Sequence, residues 1–192
     1  MARGKDGGLD PEREARKARF LAEHGLAGVR REPLTGDAST RSYERLHPAG
    51  GPSLIFMDQP PAVESEPCPP LADAAERQAR GYNALARLAA GRVDAFIAIA
   101  GWLRAQGLSA PAVVAADPAA GLAVLEDLGD ALFARLIEQG QDEAPLYDDA
   151  IATLARMHEV EPPAVLTYDG ASWPLLTYDD LALKTGGEII LE

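Results

Sequence analysis

The sequence predicts an α+β protein, with an antiparallel five-stranded lobe containing inserted helices, followed by a mostly helical region. Three observations predict this class. Short strand-type segments separated by turn residues occupy residues 29–57. A second pair of such segments lies between Val113 and Leu125, and helix-type periodicity fills both the interval and the chain beyond Asp130. Strands grouped apart from helices in this way are typical of α+β folds.

Composition excludes several classes of protein. The chain has 192 residues, of which 47% are hydrophobic and 25% charged, as in folded globular proteins. A net charge of -12 would repel a phosphate backbone, so we expect no nucleic-acid partner. No apolar stretch approaches the roughly 20 residues of a membrane helix, and the start has no signal-peptide pattern. We therefore expect a cytoplasmic protein with no membrane partner.

The first elements follow from caps and turns. Residues 1–9 read as a loose polar leader, and a helix is predicted from Asp10 and Pro11 to Gly25. The residues predicted on its buried side are Ala15, Ala18, Phe20 and Leu21. Residues 29–35 and 41–46 are predicted to pair as a hairpin, and residues 53–57 to add a third strand.

The middle of the chain is predicted to alternate loop, helix and strand. Five of the 15 prolines lie in residues 59–70, which predicts a loop there. Helices are predicted over residues 73–90 and 93–107. Residues 113–117 and 122–125 then predict a second strand pair.

Beyond Asp130 the pattern is helical. Helices are predicted over residues 131–139 and 146–158, a Pro-rich loop over 161–173, and a further helix capped near Thr177. An apolar face is predicted on the second of these helices, made by Ile151, Leu154, Ala155 and Met157. The predicted organisation is a leader over residues 1–9, a first lobe over 10–129 and the beginning of a helical lobe over 130–192.

Two segments carry possible binding chemistry. The small residues 36–39 could let backbone N–H groups approach phosphates, although hairpin turns favour the same residues for backbone reasons alone. No P-loop motif occurs. Residues 126–129 follow a buried strand and could present backbone to an adenine edge, or could be a strand end before a helix cap at Asp130.

Other candidate residues favour structural roles. His158 ends a helix, where its charge complements the helix C-terminus, and the acid pairs Asp148–Asp149 and Asp179–Asp180 suit first helical turns. Cys68 has no Cys or His nearby with which to form a disulfide or zinc site. No nucleophile elbow, H-E-x-x-H motif or Cys/His cluster occurs, so hydrolase chemistry has no support.

Taken together, residues 33–46, 54–61 and 108–130 resemble the aminoglycoside-phosphotransferase family in order and spacing. Within that family the chain resembles most the bacterial cell-wall sugar kinases that phosphorylate N-acetylmuramate and N-acetylglucosamine in peptidoglycan recycling. The resemblance implies a protein-kinase-like fold, ATP and Mg²⁺ as cofactors, and a small sugar or alcohol acceptor.

The resemblance also implies roles for particular residues. The loop over the ATP phosphates would be formed by Gly36, Asp37, Ala38, Ser39 and Arg41. Residues 125–128 would be the hinge, in which Glu126, Asp127 and Leu128 bind the nucleotide, with backbone groups of Glu126 and Leu128 contacting adenine. The helix over residues 146–158 would support the catalytic loop.

The chain departs from the family pattern in two places. The third-strand lysine that pairs with nucleotide phosphates appears as Met57, followed by Asp58, which we interpret as a trait of the sugar-kinase branch. No H-x-D-x-x-x-x-N motif follows His158. Catalytic and metal-binding residues are therefore expected beyond Glu192, and we expect the chain to be the N-terminal part of a longer kinase.

Two alternatives remain open from the sequence. The acceptor could be another small alcohol, such as choline, homoserine or an aminoglycoside. If 192 residues were the natural length, the missing lysine and catalytic loop would instead favour a non-catalytic nucleotide-binding module.

Overall fold

The computed structural model describes residues 10–35, 41–62, 66–69, 71–86 and 92–191. Its helices are α1 (Pro11–Glu23), α2 (Ala74–Arg80), α3 (Tyr82–Leu85), α4 (Val93–Ala105), α5 (Phe133–Glu138), α6 (Glu143–His158) and α7 (Asp180–Leu191). Its strands are β1 (Arg30–Pro33), β2 (Ser42–His47), β3 (Leu54–Asp58), β4 (Val113–Asp117), β5 (Leu122–Glu126), β6 (Val165–Tyr168) and β7 (Ala171–Pro174).

Five strands form one antiparallel sheet in the order β1-β2-β3-β5-β4, with α2 to α4 inserted after β3. Because side chains alternate along a strand, the sheet has two apolar faces. The outer face packs Phe56 and Val124 against Phe20 of α1. The inner face packs Met57 and Leu125 against α4. The predicted α+β class and five-stranded lobe are therefore confirmed.

Helix α1 lies where the sequence predicts it, but its buried side is different. Phe20 and Leu21 are buried as expected, whereas Ala15 and Ala18 are exposed. Lys17 is buried in their place. The reason is that the outer face of the sheet ends in carboxylates, which need cations from the covering helix.

The predicted helix over residues 73–90 is interrupted. Asp73 caps α2 by accepting a hydrogen bond from the backbone N–H of Glu76, but the helix ends at Gly81, whose φ is 77°. This left-handed conformation is nearly free for glycine and stops an α-helix. A short second helix, α3, follows, and residues 87–91 lie outside the described part of the chain.

The predicted loop over residues 161–173 is wrong for most of its length, because β6 and β7 form a two-stranded hairpin. Asp169 and Gly170 make its turn with φ values of 46° and 76°. Two positive values are characteristic of the tight turns that Asp-Gly favours. The hairpin packs on α4, where the ring of Tyr168 lies directly over Gly101.

The later helices are confirmed in number, with different ends. The predicted spans 131–139 and 146–158 correspond to α5 and to the longer α6, which begins after a cap at Asp142. Within α6 only Leu146 is buried among the described residues. None of the helices in the described ranges is long and apolar enough to cross a membrane. The lobe boundary near Asp130 stays a prediction.

Candidate nucleotide site

A cavity of about 290 Å³ lies on the inner face of the sheet, where β5 leads into the next helix. Its roof is formed by Tyr43 and Arg45 of β2 and by Ile55 and Leu125 of the neighbouring strands. One side is formed by residues 126–130, which we call the connector. The cavity thus combines apolar walls with a stretch of backbone outside regular structure, which are the two features that a flat heteroaromatic ring requires.

The inner face of β3 carries no cation. Ile55 and Met57 both point to this face, and Met57 is fully buried against Val93 and Ile97 of α4. The strand position at which the family resemblance implies a lysine is therefore part of the apolar core. Met57 cannot neutralise a phosphate, so any such charge must come from another element.

The buried lysine of the structure lies on the opposite face of the sheet. The Nζ atom of Lys17 lies 2.6 Å from a carboxylate oxygen of Glu14, 3.0 Å from Glu44 and 3.5 Å from Asp58. Burial opposes the charged form, but these carboxylates outweigh it and raise the pKa of Lys17. Arg13 also donates to Asp58 and to the carbonyl of Ala120. Asp58 therefore anchors α1 and does not face the cavity.

The connector uses some of its peptide groups and leaves others open. The N–H of Glu126 donates to the carbonyl of Ala112 at 2.8 Å, and the Glu126 carboxylate accepts from the N–H of Ala112 and from Arg104. Glu126 therefore has no N–H to offer a ligand. Within the described ranges, the N–H of Leu128 has no hydrogen-bond partner. The N–H groups of Asp127 and Asp130 likewise have no partner in the described ranges, and among these three donors Leu128 is the one that the family resemblance assigns to adenine.

Arg45 joins β2 to the connector through two carboxylates. Its Nε atom donates to Asp127 at 2.7 Å, and its Nη1 and Nη2 atoms donate to Asp130 at 2.9 and 3.0 Å. The side chains of Arg45 and Asp127 are only 15% and 5% exposed, whereas that of Asp130 is 55% exposed. The pair with Asp127 is therefore shielded from solvent, and the pair with Asp130 is open to it.

The Asp127 carboxylate has three kinds of donor around it. Burial opposes its ionisation, but hydrogen bonds from Arg45, the Ser53 hydroxyl and the Gly129 N–H outweigh burial and lower its pKa to about 2. Hydrogen bonds from Arg45 likewise lower the pKa of Asp130. Both acids are charged at neutral pH, so the bridge to Arg45 is fully ionic.

A smaller cavity of about 200 Å³ adjoins the first and shares Phe96 and Pro111 with it. Arg41 lines this second cavity beside α4. Arg41 is thus a cation on the inner side of the sheet, close to the end of the segment predicted to cover phosphates. Its position is compatible with a charge that compensates for Met57.

The largest of these cavities, about 610 Å³, lies between α4 and the end of α6. Trp102, Met157 and Leu166 give it apolar walls, and His158 lies at its edge with Glu159 and Glu161. Among the described residues, no Lys or Arg lines this cavity to offset these two carboxylates, which would repel a triphosphate, whereas the acids of the connector pair with Arg45 and Arg104. This cavity therefore suits a nucleotide less well than the cavity at the connector.

The structure brings three of the predicted site residues together and leaves others untested. Glu126, Asp127 and Leu128 line one cavity, and Arg41 lines the adjoining one. Gly36, Asp37, Ala38 and Ser39 lie outside the described residues. The described part of the chain holds no cluster of three His, Cys, Asp or Glu side chains able to bind a metal ion.

Sequence reasoning missed Tyr43, Arg45 and Ile55. A signal for the first two was present, because residues two apart on a strand point to the same face. Tyr43 and Arg45 alternate with the half-buried Glu44 and the buried Leu46, which face α1. Their common direction could be predicted from the strand, but their partner Asp127 lies 82 residues away and could not.

Comparison with known proteins agrees with this architecture. A model of the phosphotransferase enzyme family, APH, matches residues 30–184, which include the whole sheet, the connector and the hairpin on α4. The chain belongs to this family. The resemblance that the sequence indicates is thereby confirmed.

Two relatives have the same function in their names. An N-acetylmuramate/N-acetylglucosamine kinase from Caulobacter vibrioides is 70% identical over 184 residues, which are 96% of this chain and 50% of that protein. A kinase of the same name from Pseudomonas aeruginosa is 29% identical over 140 residues, covering 72% of this chain and 33% of that protein. The chain thus spans half the length of the first relative and a third of the second.

Proposed function

We propose that this chain forms the nucleotide-binding lobe of a cytoplasmic, ATP-dependent kinase that phosphorylates N-acetylmuramate and N-acetylglucosamine for peptidoglycan recycling. The observation that carries the proposal is the 70% identity to the Caulobacter vibrioides kinase across 96% of the chain. The aligned 184 residues make up 96% of the chain, so we expect the cavity-lining strands and the connector to be shared by both proteins. The cavity at the connector supplies the matching physical feature.

The residues around this cavity fit an adenine nucleotide. Ile55 and Leu125 offer apolar surface to a purine ring, and Leu128 offers an N–H donor to its edge. In this proposal Glu126 contributes through its carbonyl alone, since its N–H is already bonded to Ala112. Asp127 supports the connector through its side chain.

The phosphates would lie toward Arg41 and the segment formed by Gly36, Asp37, Ala38 and Ser39. Arg41 would supply the positive charge that Met57 cannot, and the small residues would let backbone N–H groups come close. When bound, ATP supplies the phosphoryl group and Mg²⁺ neutralises its charge. The residues that hold Mg²⁺ and position the acceptor hydroxyl are expected after residue 192.

The proposal is tested by measuring ADP release from ATP and Mg²⁺ by the complete protein that contains this chain. N-acetylmuramate, N-acetylglucosamine, choline and kanamycin are offered separately as acceptors. We expect the two amino sugars to stimulate ADP release and the two cations to have no effect. Stimulation by choline or kanamycin alone would replace the acceptor assignment. Nucleotide binding without stimulation by any acceptor would favour the non-catalytic module.

A further inference from the structure

We propose that Arg45 is a positioning residue that fixes the connector through Asp127 and Asp130, and that it thereby sets a preference for adenine over guanine. The inference rests on the nucleotide-binding role proposed above. The Arg45 side chain donates hydrogen bonds to two carboxylates of the connector and also lines the cavity, although the apolar walls of the cavity are formed by other side chains. The inference gives this side chain a function.

The two carboxylates that Arg45 contacts flank Leu128 in the sequence. Asp127 comes directly before Leu128 and Asp130 follows two residues later, and Arg45 donates to both carboxylates. Asp127 also accepts from the N–H of Gly129 at 2.9 Å, so the peptide that follows Leu128 is held by the same carboxylate. Arg45 therefore restrains the connector before and after Leu128, which lines the cavity.

The backbone of Arg45 is itself held in place by the five-stranded sheet. Arg45 lies on β2 opposite Ile55 of β3, in the middle of the five-stranded sheet. The guanidinium group is a rigid planar fork, so it transmits the position of the sheet to the connector better than a flexible point charge would. Because Asp127 is nearly fully buried, solvent screens this contact little.

A fixed connector discriminates between purines by the direction of its hydrogen bonds. Adenine presents a ring-nitrogen acceptor beside its amino group, whereas guanine presents an N–H donor beside a carbonyl. The N–H of Leu128 can donate to adenine but opposes the N–H of guanine. A connector free to rotate could turn a carbonyl toward guanine, and the preference would weaken. Rigidity, rather than any contact from Arg45 to the base, is therefore the source of selectivity.

The test compares equilibrium dissociation constants for ATP and GTP, each with Mg²⁺, in the complete protein and in Arg45→Lys. Lysine keeps the positive charge but lacks the planar fork of five N–H donors, so it cannot reproduce the paired hydrogen bonds that Arg45 makes to Asp127 and to Asp130. We expect the ATP-to-GTP affinity ratio to fall about threefold to tenfold, which is the range of one neutral hydrogen bond. Asp127→Asn should lower the ratio as well, because it weakens the same contact with Arg45.

Arg135→Ala is the matched control, because Arg135 approaches the same Asp130 at 3.9 Å, is half exposed and does not contact Asp127. Its ratio should equal that of the unchanged protein. An unchanged ratio in Arg45→Lys, or an equal loss of ATP and GTP affinity, would overturn the inference, since a general effect on the fold weakens both nucleotides alike. Failure of the unchanged protein to bind ATP would instead overturn the proposed function.

Discussion

Asp127 shows how much one side chain of the connector contributes to this lobe. Its carboxylate accepts hydrogen bonds from Arg45, from Ser53 and from the backbone of Gly129, which lie on three different parts of the chain. Its pKa of about 2 lies below the ordinary value of 3.8, so the ionised carboxylate is more stable in the folded state than in the unfolded state. Protonation must therefore weaken the fold.

This linkage predicts a pH-dependent effect of Asp127→Asn. A carboxylate with a lowered pKa stabilises the fold fully above its unfolded pKa, near 4, and loses that contribution as pH falls through about 2. The difference in unfolding free energy between the unchanged chain and Asp127→Asn should therefore shrink from pH 5 toward pH 2. Urea denaturation at several pH values measures it, with the exposed Asp148→Asn as control. A difference that stays constant over this range would contradict the assignment.

Gly101 is a second residue whose identity follows from one contact. A Cβ atom at this position would lie 2.1 Å from Cγ of Tyr168, far inside van der Waals contact. The ring of Tyr168 can approach α4 this closely because Gly101 has no side chain. Alanine normally stabilises a helix relative to glycine, so packing and helix propensity act in opposite directions here.

Because the two effects oppose each other, the change in unfolding free energy caused by Gly101→Ala should reverse its sign when Tyr168 is removed. Gly101→Ala should destabilise the chain by about 1–3 kcal/mol, because the ring of Tyr168 must shift. In a Tyr168→Ala background the same substitution should stabilise by about 0.5–1 kcal/mol, because only helix propensity remains. Thermal or urea denaturation of the four variants gives both values. If Gly101→Ala has the same effect in both backgrounds, the hairpin does not pack on α4 as the structure has it.

At the level of elements, α1 depends on charge as well as apolar packing. Lys17 lies on the side of α1 that faces the sheet, among the carboxylates of Glu14, Glu44 and Asp58. The preceding residue, Arg16, forms an exposed ion pair in which its Nη2 atom lies 3.7 Å from Oε1 of Glu12. The two neighbouring cations therefore form a matched comparison. One is buried in a network, and the other pairs in solvent.

We predict that Lys17→Ala lowers the unfolding free energy by about 3 kcal/mol, because it leaves buried carboxylates without one of their cations. Arg16→Ala should cost less than about 0.5 kcal/mol, because exposed pairs contribute little. Urea denaturation of the two variants at neutral pH decides the matter. Equal losses would mean that the burial of Lys17 among these carboxylates adds nothing to the stability of α1.

The elements also show which features a sequence can reveal. Helix and strand positions followed from local caps and periodicity, but the order of the sheet, in which β5 lies between β3 and β4, depends on pairing between distant strands and was not predicted. The face of α1 was mispredicted because the burial of Lys17 depends on Glu44 and Asp58, which are distant in sequence. The β6–β7 hairpin was missed because prolines around it outweighed the Asp-Gly turn that forms it.

The residues of the candidate site also differ in whether the sequence reveals them. Glu126, Asp127 and Leu128 were named through the family resemblance, because the local pattern of a strand end before a turn is equally typical of a helix cap. Arg45 was not, since its role depends on pairing across the sheet with a segment far along the chain. The resemblance therefore points to the connector, whereas the contact of Arg45 with Asp127 is visible only in three dimensions.

At the scale of the whole molecule, α6 is the least supported element. Ile151 is 64% and Leu154 51% exposed, although both belong to the apolar face predicted for this helix, and Tyr147 on the same helix is 54% exposed. Among the described residues, α6 has its main helix contact with the short α5. An apolar surface of this kind favours association with other apolar surfaces, even on a chain with a net charge of -12.

We therefore predict that a polypeptide of these 192 residues self-associates, and that Ile151→Lys combined with Leu154→Lys reduces association without lowering the melting temperature. Both side chains are already in solvent, so replacing them removes little buried area, while two added cations disfavour contact through this face. Sedimentation velocity across a range of micromolar concentrations measures association, and circular dichroism measures melting. Leu146→Lys is the control on the same helix: Leu146 is buried, so this variant should lower the melting temperature. A chain that stays monomeric at every concentration would show that the exposed face of α6 does not drive association.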